Sequence, residues 1–484
     1  MALRKIKRPV KTVKQESLQQ TKEENKIMQE SEDVTAFPYK VEGNNLLLWD
    51  ADDKKYHPIC KAVKINRISR NLETKDINLE IIFWAYDRWE TIRINRGELN
   101  KRDLKKLVSK GMDIIQDSQV SHVFSFLSKQ EKKLKPTNVH TGIGWDVING
   151  KLVYKHYTLI GTSIQSTYEG ELNIKPTGDY RDYLNLLMHE VVGHPPLELA
   201  ICLGITPLII GMLNCAGVAE LDTLWVHLPG RSSTGKTTAG MLYASTAGCP
   251  SINGKGLVQS FNGTKNALSN SLVGNKGVPV VLDEFSMNQM SSEALSSFLY
   301  EVSQNRGRLR LNKESERKEP GTWSTTVMST GENSIISRVN QNEGLRVRLF
   351  EFSKIQWTKN AENAEHLKAG LLNNYGHIAP IIAQKMIEYG PIRILDMLND
   401  NKEDLMKMLP ENRLTARISQ KLALILTAAE LFEETFKIRL SADELIQMLI
   451  DQEQESMTER EMAPKFYNQL RQYIIRYKKN FKIQ

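Results

Sequence analysis

Cysteine is scarce. The chain has four in 484 residues, Cys60, Cys202, Cys215 and Cys249, and none is spaced to pair with another. That excludes a disulfide framework and a zinc knuckle, and it fits reduced thiols in a cytoplasmic protein. No secretory leader is expected, because Met1 to Lys14 carries six basic residues and no apolar segment follows. Long apolar runs are nearly absent. The one candidate, Leu197 to Val218, contains Glu198, Pro207 and Asn214 and leads straight into a further apolar strand. It is therefore expected to be a pair of buried core helices, with no membrane partner. The stretch His189-Glu190-Val191-Val192-Gly193-His194 looks like a zinc-protease helix, but its histidines are five residues apart. They fall about 140° from a common helical face, and Gly193, Pro195 and Pro196 end any helix there.

Neither sign of charge dominates. Lys and Arg number 65 against 57 Asp and Glu, a net charge of +8 that mildly favours an anionic partner. The apolar fraction of 40% and charged fraction of 25% are those of a globular chain long enough for two or three domains.

What is present centres on Gly230-Arg231-Ser232-Ser233-Thr234-Gly235-Lys236-Thr237-Thr238, a glycine, four residues, then Gly-Lys-Thr. The apolar run Leu224 to Leu228 precedes it and helix formers from Ala239 to Ala244 follow, so the strand, loop and helix context of a phosphate-binding loop is complete. Glycines let the backbone N–H groups turn inward around phosphates, and the helix N-terminus adds its positive end. Lys236 is expected to reach the β- and γ-phosphates of ATP, and Thr237 to hold Mg²⁺.

A second short apolar run, Val278 to Leu282, ends in Asp283 and Glu284. It reads as a buried parallel strand with two carboxylates at its C-terminal tip, where ligands sit in open α/β sheets. Asp283 is assigned to Mg²⁺ and Glu284 to the attacking water. Thr322 to Met328 predicts a further strand, and Ser329 or Thr330 at its end can hold that water. Gly344 to Phe352 places Arg346 and Arg348 at the start of another strand. Either can stabilise phosphoryl transfer from a neighbouring subunit or serve in a structural ion pair. Arg348, one residue before the apolar strand core, is preferred. Beyond Ala361 the chain reads as helical, and a long helix from Arg413 to Leu426 brings Arg417 within reach of the nucleotide.

The remaining segments carry less chemistry. Residues 1–35 read as a flexible basic and polar arm. Residues 36–180 read as a β-rich domain, with strands at Leu46–Asp50, Lys61–Asn66, Ile77–Trp84 and Glu90–Ile94 and helices at Lys101–Lys110 and Ser118–Lys129. The core spans 181–358 and the lid 359–464, with Thr264 and Ser291 capping two internal helices. Arg306, Arg308, Arg310 and Lys313 project from a basic hairpin, Asn305 to Lys318, that suits a phosphate backbone. The hairpin has no aromatic residue, which argues against a motor that threads protein. Residues 465–484 read as a basic C-terminal segment that ends on what looks like the start of another strand.

As a set, the phosphate loop, Gly263-Thr264-Lys265-Asn266, Leu282-Asp283-Glu284, and Thr322-Trp323 leading to Ser329-Thr330-Gly331-Glu332 resemble an AAA+ ATPase family of phages and mobile elements. That family was long known only as a domain of unknown function, and its relatives include the Cch proteins of staphylococcal cassette chromosomes and the Rep initiators of staphylococcal pathogenicity islands. The resemblance covers about Phe37 to Phe436 and includes Gly144-Trp145. It implies an α/β P-loop AAA+ core with a β-rich α+β N-terminal domain and a helical C-terminal lid. It also implies a hexameric, MCM-like DNA helicase with ATP bound between subunits and the hairpin facing DNA in the ring channel. Resemblance to the Rep initiators implies that residues 465–484 open a winged-helix domain. The expected partners are single-stranded and forked DNA and other replication proteins of the element. A non-motor initiator or helicase loader that binds DNA without unwinding it shares the same ATPase parts.

Overall fold

The computed structural model describes residues 35–311, 317–339, 344 and 347–476. The expected N-terminal arm, Lys313 and Arg346 lie outside the described residues. The chain divides into two compact units after Val139.

In the first unit, β1 (Thr35–Ala36), β2 (Tyr39–Glu42), β3 (Asn45–Asp50) and β4 (Lys55–Lys61) form an antiparallel meander. A second antiparallel run, β5 (Val63–Asn71), β6 (Ile77–Ala85) and β7 (Arg88–Asn95), is followed by α1 (Lys101–Lys106), α2 (Asp117–Glu131) and β8 (Thr137–His140). Apolar residues alternate along β6, so Leu79, Ile81 and Phe83 face the core with Val123, Phe126 and Leu127 of α2. β8 pairs with β5 only from Ser69 to Asn71. Further back, the buried Gln130 side chain of α2 replaces a strand, accepting from the Ile65 N–H at 2.8 Å and donating to its carbonyl at 2.9 Å.

The second unit begins with β9 (Ile143–Ile148), β10 (Lys151–Lys155), β11 (Leu159–Ile160) and β12 (Thr167–Tyr168), which the sequence reading had grouped with the N-terminal domain. They pack here because Trp145 is fully buried and donates from its indole to Leu208 O at 2.8 Å. Leu208 lies in α4 (Pro195–Cys215), which follows α3 (Tyr180–Glu190). The expected pair of buried helices is one helix. Pro207 lacks the N–H that would bond Leu203 O, and the Thr206 hydroxyl donates to that carbonyl instead, at 2.7 Å, so the helix continues. α4 is long and apolar enough to cross a membrane, but 94% of its most apolar stretch is buried inside the protein.

Around α4 stand β13 (Leu224–Pro229), α5 (Lys236–Ser245), β14 (Val258–Ser260), α6 (Lys265–Leu272), β15 (Asn275–Lys276), β16 (Val280–Asp283) and α7 (Ser292–Ser303). Then come β17 (Arg310–Leu311), β18 (Arg317–Lys318), β19 (Thr326–Gly331) and β20 (Leu349–Glu351). Five of these strands form an all-parallel sheet in the order β14-β16-β19-β13-β20. Its strands are short apolar runs buried on both faces, as parallel strands flanked by helices must be. Four helices complete the unit: α8 (Ala361–Asn373), α9 (Ile378–Met408), α10 (Thr415–Phe436) and α11 (Ala442–Arg476). α9 breaks at Gly390, whose φ of 79° precedes Pro391.

Candidate functional site

The sheet brings three strand tips together at one edge. β13 ends in the phosphate loop, and α5 starts at Lys236 with Gly235 as its N-cap in the left-handed region, φ 83°. A side chain at Gly235 would place its Cβ 2.6 Å from the Thr358 hydroxyl, so only glycine allows the turn to pass that close. Lys236 folds back and donates to Gly230 O at 2.7 Å and Arg231 O at 2.6 Å. Burial lowers its pKa, while Glu284, Glu332 and Asp283 oppose that shift. Ser232, Ser233 and Thr237 are exposed, Thr238 is buried in the helix, and Ser232 donates to Glu332 at 2.8 Å. Thr234 is tied down on both sides, donating from its hydroxyl to Arg231 O at 3.1 Å and accepting at its carbonyl from Trp357 N–H at 2.8 Å.

β19 lies between β13 and β16, so its tip stands between the loop and the two acids. Strand alternation sends its two hydroxyls to opposite faces. Thr330 donates to Asp283 Oδ1 at 2.5 Å and accepts from the Glu284 N–H at 3.1 Å. Ser329 is buried on the other face, accepting from the Trp225 indole at 2.9 Å and bonding the His227 ring at 2.9 Å. Burial pulls the His227 pKa down to about 4. Glu284 takes a left-handed backbone, φ 64°, and one of its carboxylate oxygens is buried with no hydrogen-bond partner among the described residues. An unfilled buried acceptor is costly in a finished structure. Together with the Asp283 carboxylate and the exposed Thr237 hydroxyl, it makes an all-oxygen donor set of the kind hard cations such as Mg²⁺ prefer.

The opposite edge of the sheet holds a different constellation. Arg348 directly precedes β20, and Leu349 pairs with Trp225 at the start of β13. Gly230 lies about 20 Å further along the strand direction at ~3.3 Å per residue. The Arg348 guanidinium lies over the Tyr300 ring of α7, 4.9 Å from its centre, and donates to Gly344 O. α10 does not return Arg417 to its own phosphate loop. One turn beyond it, Lys421 donates to Asp222 O at 2.7 Å and Thr223 O at 3.2 Å, which fastens that end of the helix to the start of β13. Burial lowers the Lys421 pKa to about 8, with Asp222 opposing and Arg348 reinforcing. Arg417 is exposed on the same edge as Arg348.

At this edge also stands the base of the basic hairpin. Asn305 accepts from Thr223 N at 2.8 Å and donates to Leu221 O at 2.7 Å, while β17 and β18 pair antiparallel through Arg310 with Lys318 and Leu311 with Arg317. Arg306 and Arg308 are exposed.

Residues 44–321 match the model of a family described as Domain of unknown function, DUF927. The chain belongs to the DUF927 family. Among solved structures, SCCmec type IV Cch, described as an active helicase, aligns with this DUF927 chain at a TM-score of 0.73 and 24% identity, over 93% of this chain and 84% of that one. The DUF927 chain therefore shares the fold of the Cch helicase. A structure of the NrS-1 C-terminal region aligns at a TM-score of 0.25 and 13% identity, over 79% of this chain and 90% of that one, and carries no argument. No curated protein matches in sequence.

The DUF927 chain holds one further element of the site that sequence reasoning did not find. Beside Gly230, Arg231 and Thr234 opens a cavity of about 480 Å³, walled by Ser353 to Gln356 after β20 and by Gln452, Glu455 and Ser456 of α11. Ser353 donates to Glu455 at 3.1 Å and Lys354 forms an ion pair with it, so α11 is bound to the tail of β20. No motif marks these residues, because α11 reads in sequence only as a polar amphipathic helix. Their role follows from what lies opposite.

Proposed function

We propose that this chain is an ATP-dependent DNA helicase that works as an MCM-like hexamer in the replication of a mobile genetic element. The observation that carries the reading is the bond from the Thr330 hydroxyl to the Asp283 carboxylate and its acceptance from the main-chain N–H of Glu284, beside the phosphate loop. A hydroxyl fixed at a strand tip beside Asp283 and Glu284 can hold a water against a γ-phosphate. Lys236 leaves the loop carbonyls and pairs with the β- and γ-phosphates, and the loop N–H groups and the positive end of α5 hold their oxygens. Thr237 and Asp283 hold Mg²⁺, which when bound neutralises charge on those phosphates. Glu284 takes the proton from the attacking water, Thr330 fixes that water, and Ser329 supports the strand from behind. Arg348, on the far edge of the sheet, completes the site of the next subunit. Arg417, on the same edge, contacts nucleotide across that interface too. This placement supports assembly as a ring, since the chemistry and its arginines belong to different subunits. Hydrolysis moves hairpins bearing Arg306, Arg308, Arg310 and Lys313 along one strand.

The experiment is displacement of a forked DNA duplex with ATP, comparing the protein with Glu284→Gln. Unwinding that falls at least about 100-fold in the variant, with ATP binding kept, supports a motor powered at this acid. DNA-stimulated hydrolysis with no strand displacement in either protein overturns the helicase reading in favour of an initiator or loader.

A further inference from the structure

We propose that Gln452 selects the base of the nucleotide and makes this site specific for a 6-aminopurine, a reading that rests on the nucleotide site proposed above. The cavity is walled by Gly230 and Thr234 of the loop and by residues after β20 and on α11, so a triphosphate held by the loop can carry its sugar and base into it. Gln452 stands in its wall at 9% exposure, and its side-chain oxygen is buried with no hydrogen-bond partner among the described residues. Buried amides are almost always paired, so an unpartnered acceptor on a residue that lines a cavity indicates a missing donor.

The surroundings define that donor further. Gln452 also lines a smaller cavity of about 140 Å³, where Phe352, Ile355 and Met448 supply apolar wall and Ser353, Asp451 and Glu455 polar wall. Apolar walls with a few placed polar groups form the usual lining for a flat heterocycle. An amide presents one acceptor beside one donor. Adenine presents the complement, a 6-amino donor beside the N7 acceptor, whereas guanine and hypoxanthine present two acceptors there. Neither amide rotamer satisfies two acceptors, so a 6-oxopurine leaves a buried lone pair facing a lone pair. Rejection of about ten- to hundred-fold follows. The ion pair of Lys354 with Glu455 and the bond from Ser353 hold α11 in place one turn further on, so the amide is presented from a fixed helix.

The test compares kcat/KM for ATP and inosine triphosphate, which differ at this edge by the 6-amino group, in the full chain with DNA. The wild type is expected to favour ATP at least about ten-fold, and Gln452→Leu to bring the ratio close to one, mostly through KM. Gln452→Glu keeps shape and polarity and an acceptor for the amino group but loses the donor. It is expected to weaken ATP while still rejecting inosine triphosphate, a signature that general unfolding does not produce. Hydrolysis with the same ATP preference in Gln452→Leu overturns the assignment of Gln452 and leaves the nucleotide site standing. Absence of any nucleoside triphosphate hydrolysis or binding that Lys236→Ala removes overturns the nucleotide site itself, and Gln452 with it.

Discussion

The two edges of the parallel sheet are built from similar residues and do opposite work. At the C-terminal edge a Glu284 carboxylate oxygen after β16 is buried with no hydrogen-bond partner among the described residues, and the helix after β13 carries the exposed Thr237 residue. At the N-terminal edge the polar groups of Asn305, Lys421 and Thr223 are consumed by one another, while Arg306, Arg308 and Arg417 are exposed and Arg348 lies half-buried over Tyr300. One edge is poised for a ligand. The other is braced, and it carries cations that its own ligand site cannot use. The difference supports the proposal that the braced edge acts on something outside the subunit, a neighbour's phosphates or a DNA backbone.

The sharpest way to break this contrast is at Arg348. Arg348→Ala is expected to lower ATP hydrolysis about 1,000-fold or more, the scale of an arginine supplied in trans. Mixing it with Glu284→Gln should restore part of the activity, because some interfaces then pair an intact acid with an intact arginine. No recovery on mixing in steady-state phosphate release would place Arg348 in its own subunit's chemistry and dissolve the contrast.

A smaller effect is expected at the ligand edge from pH. His227 is neutral in the fold, its pKa held down to about 4 from 6.5 by burial. The folded pKa lies below the unfolded one, so between these values the unfolded chain binds more protons and stability falls as pH drops from 6.5 to 4. About 1.4 kcal/mol per unit is at stake, and His156, with a pKa near 4 for the same reason, adds a similar slope. His227→Gln should flatten the slope of chemical-denaturation stability in that window by about half. A slope unchanged by the substitution would show that the buried ring does not set the acid limit of this edge.

The smallest effect belongs to the hairpin. Arg308→Ala is expected to weaken single-stranded DNA binding a few-fold and to reduce the slope of log affinity against log salt by about one. Titrations at several salt concentrations read this directly. An unchanged slope would leave Arg308 off the backbone and confine the outward cations to the subunit interface.

Much of the ligand edge was legible because its signals are local. The phosphate loop needs a strand, glycines and a helix within about twenty residues, and all were read in place. Thr264 and Ser291 were read as helix caps from adjacent residues, and both accept from the third residue on, Ala267 and Ala294. The strand leading to Ser329 was expected at Thr322–Met328 and lies at Thr326–Gly331, so the polar pair belongs to the strand itself. The buried run at Leu197 was read as two helices because Pro207 is a breaker by propensity, and one hydroxyl at Thr206 overrides it.

By itself, then, the sequence determined which chemistry was at hand: a phosphate loop, two acids, hydroxyls, arginines and a basic hairpin, each written in a short contiguous run. Tertiary structure decided which of them meet. Thr330, not Ser329, touches the acids, because β19 is inserted between β13 and β16 and alternate residues face opposite ways. Arg348 and Arg417 share the far edge because β20 runs parallel to β13 and Lys421 pins α10 to its start. Gln452 shares a cavity wall with Gly230 only because α11 packs against the tail of β20. Local bonding patterns are encoded by neighbours in the chain, whereas these meetings depend on burying apolar faces far apart in sequence, which no short pattern records.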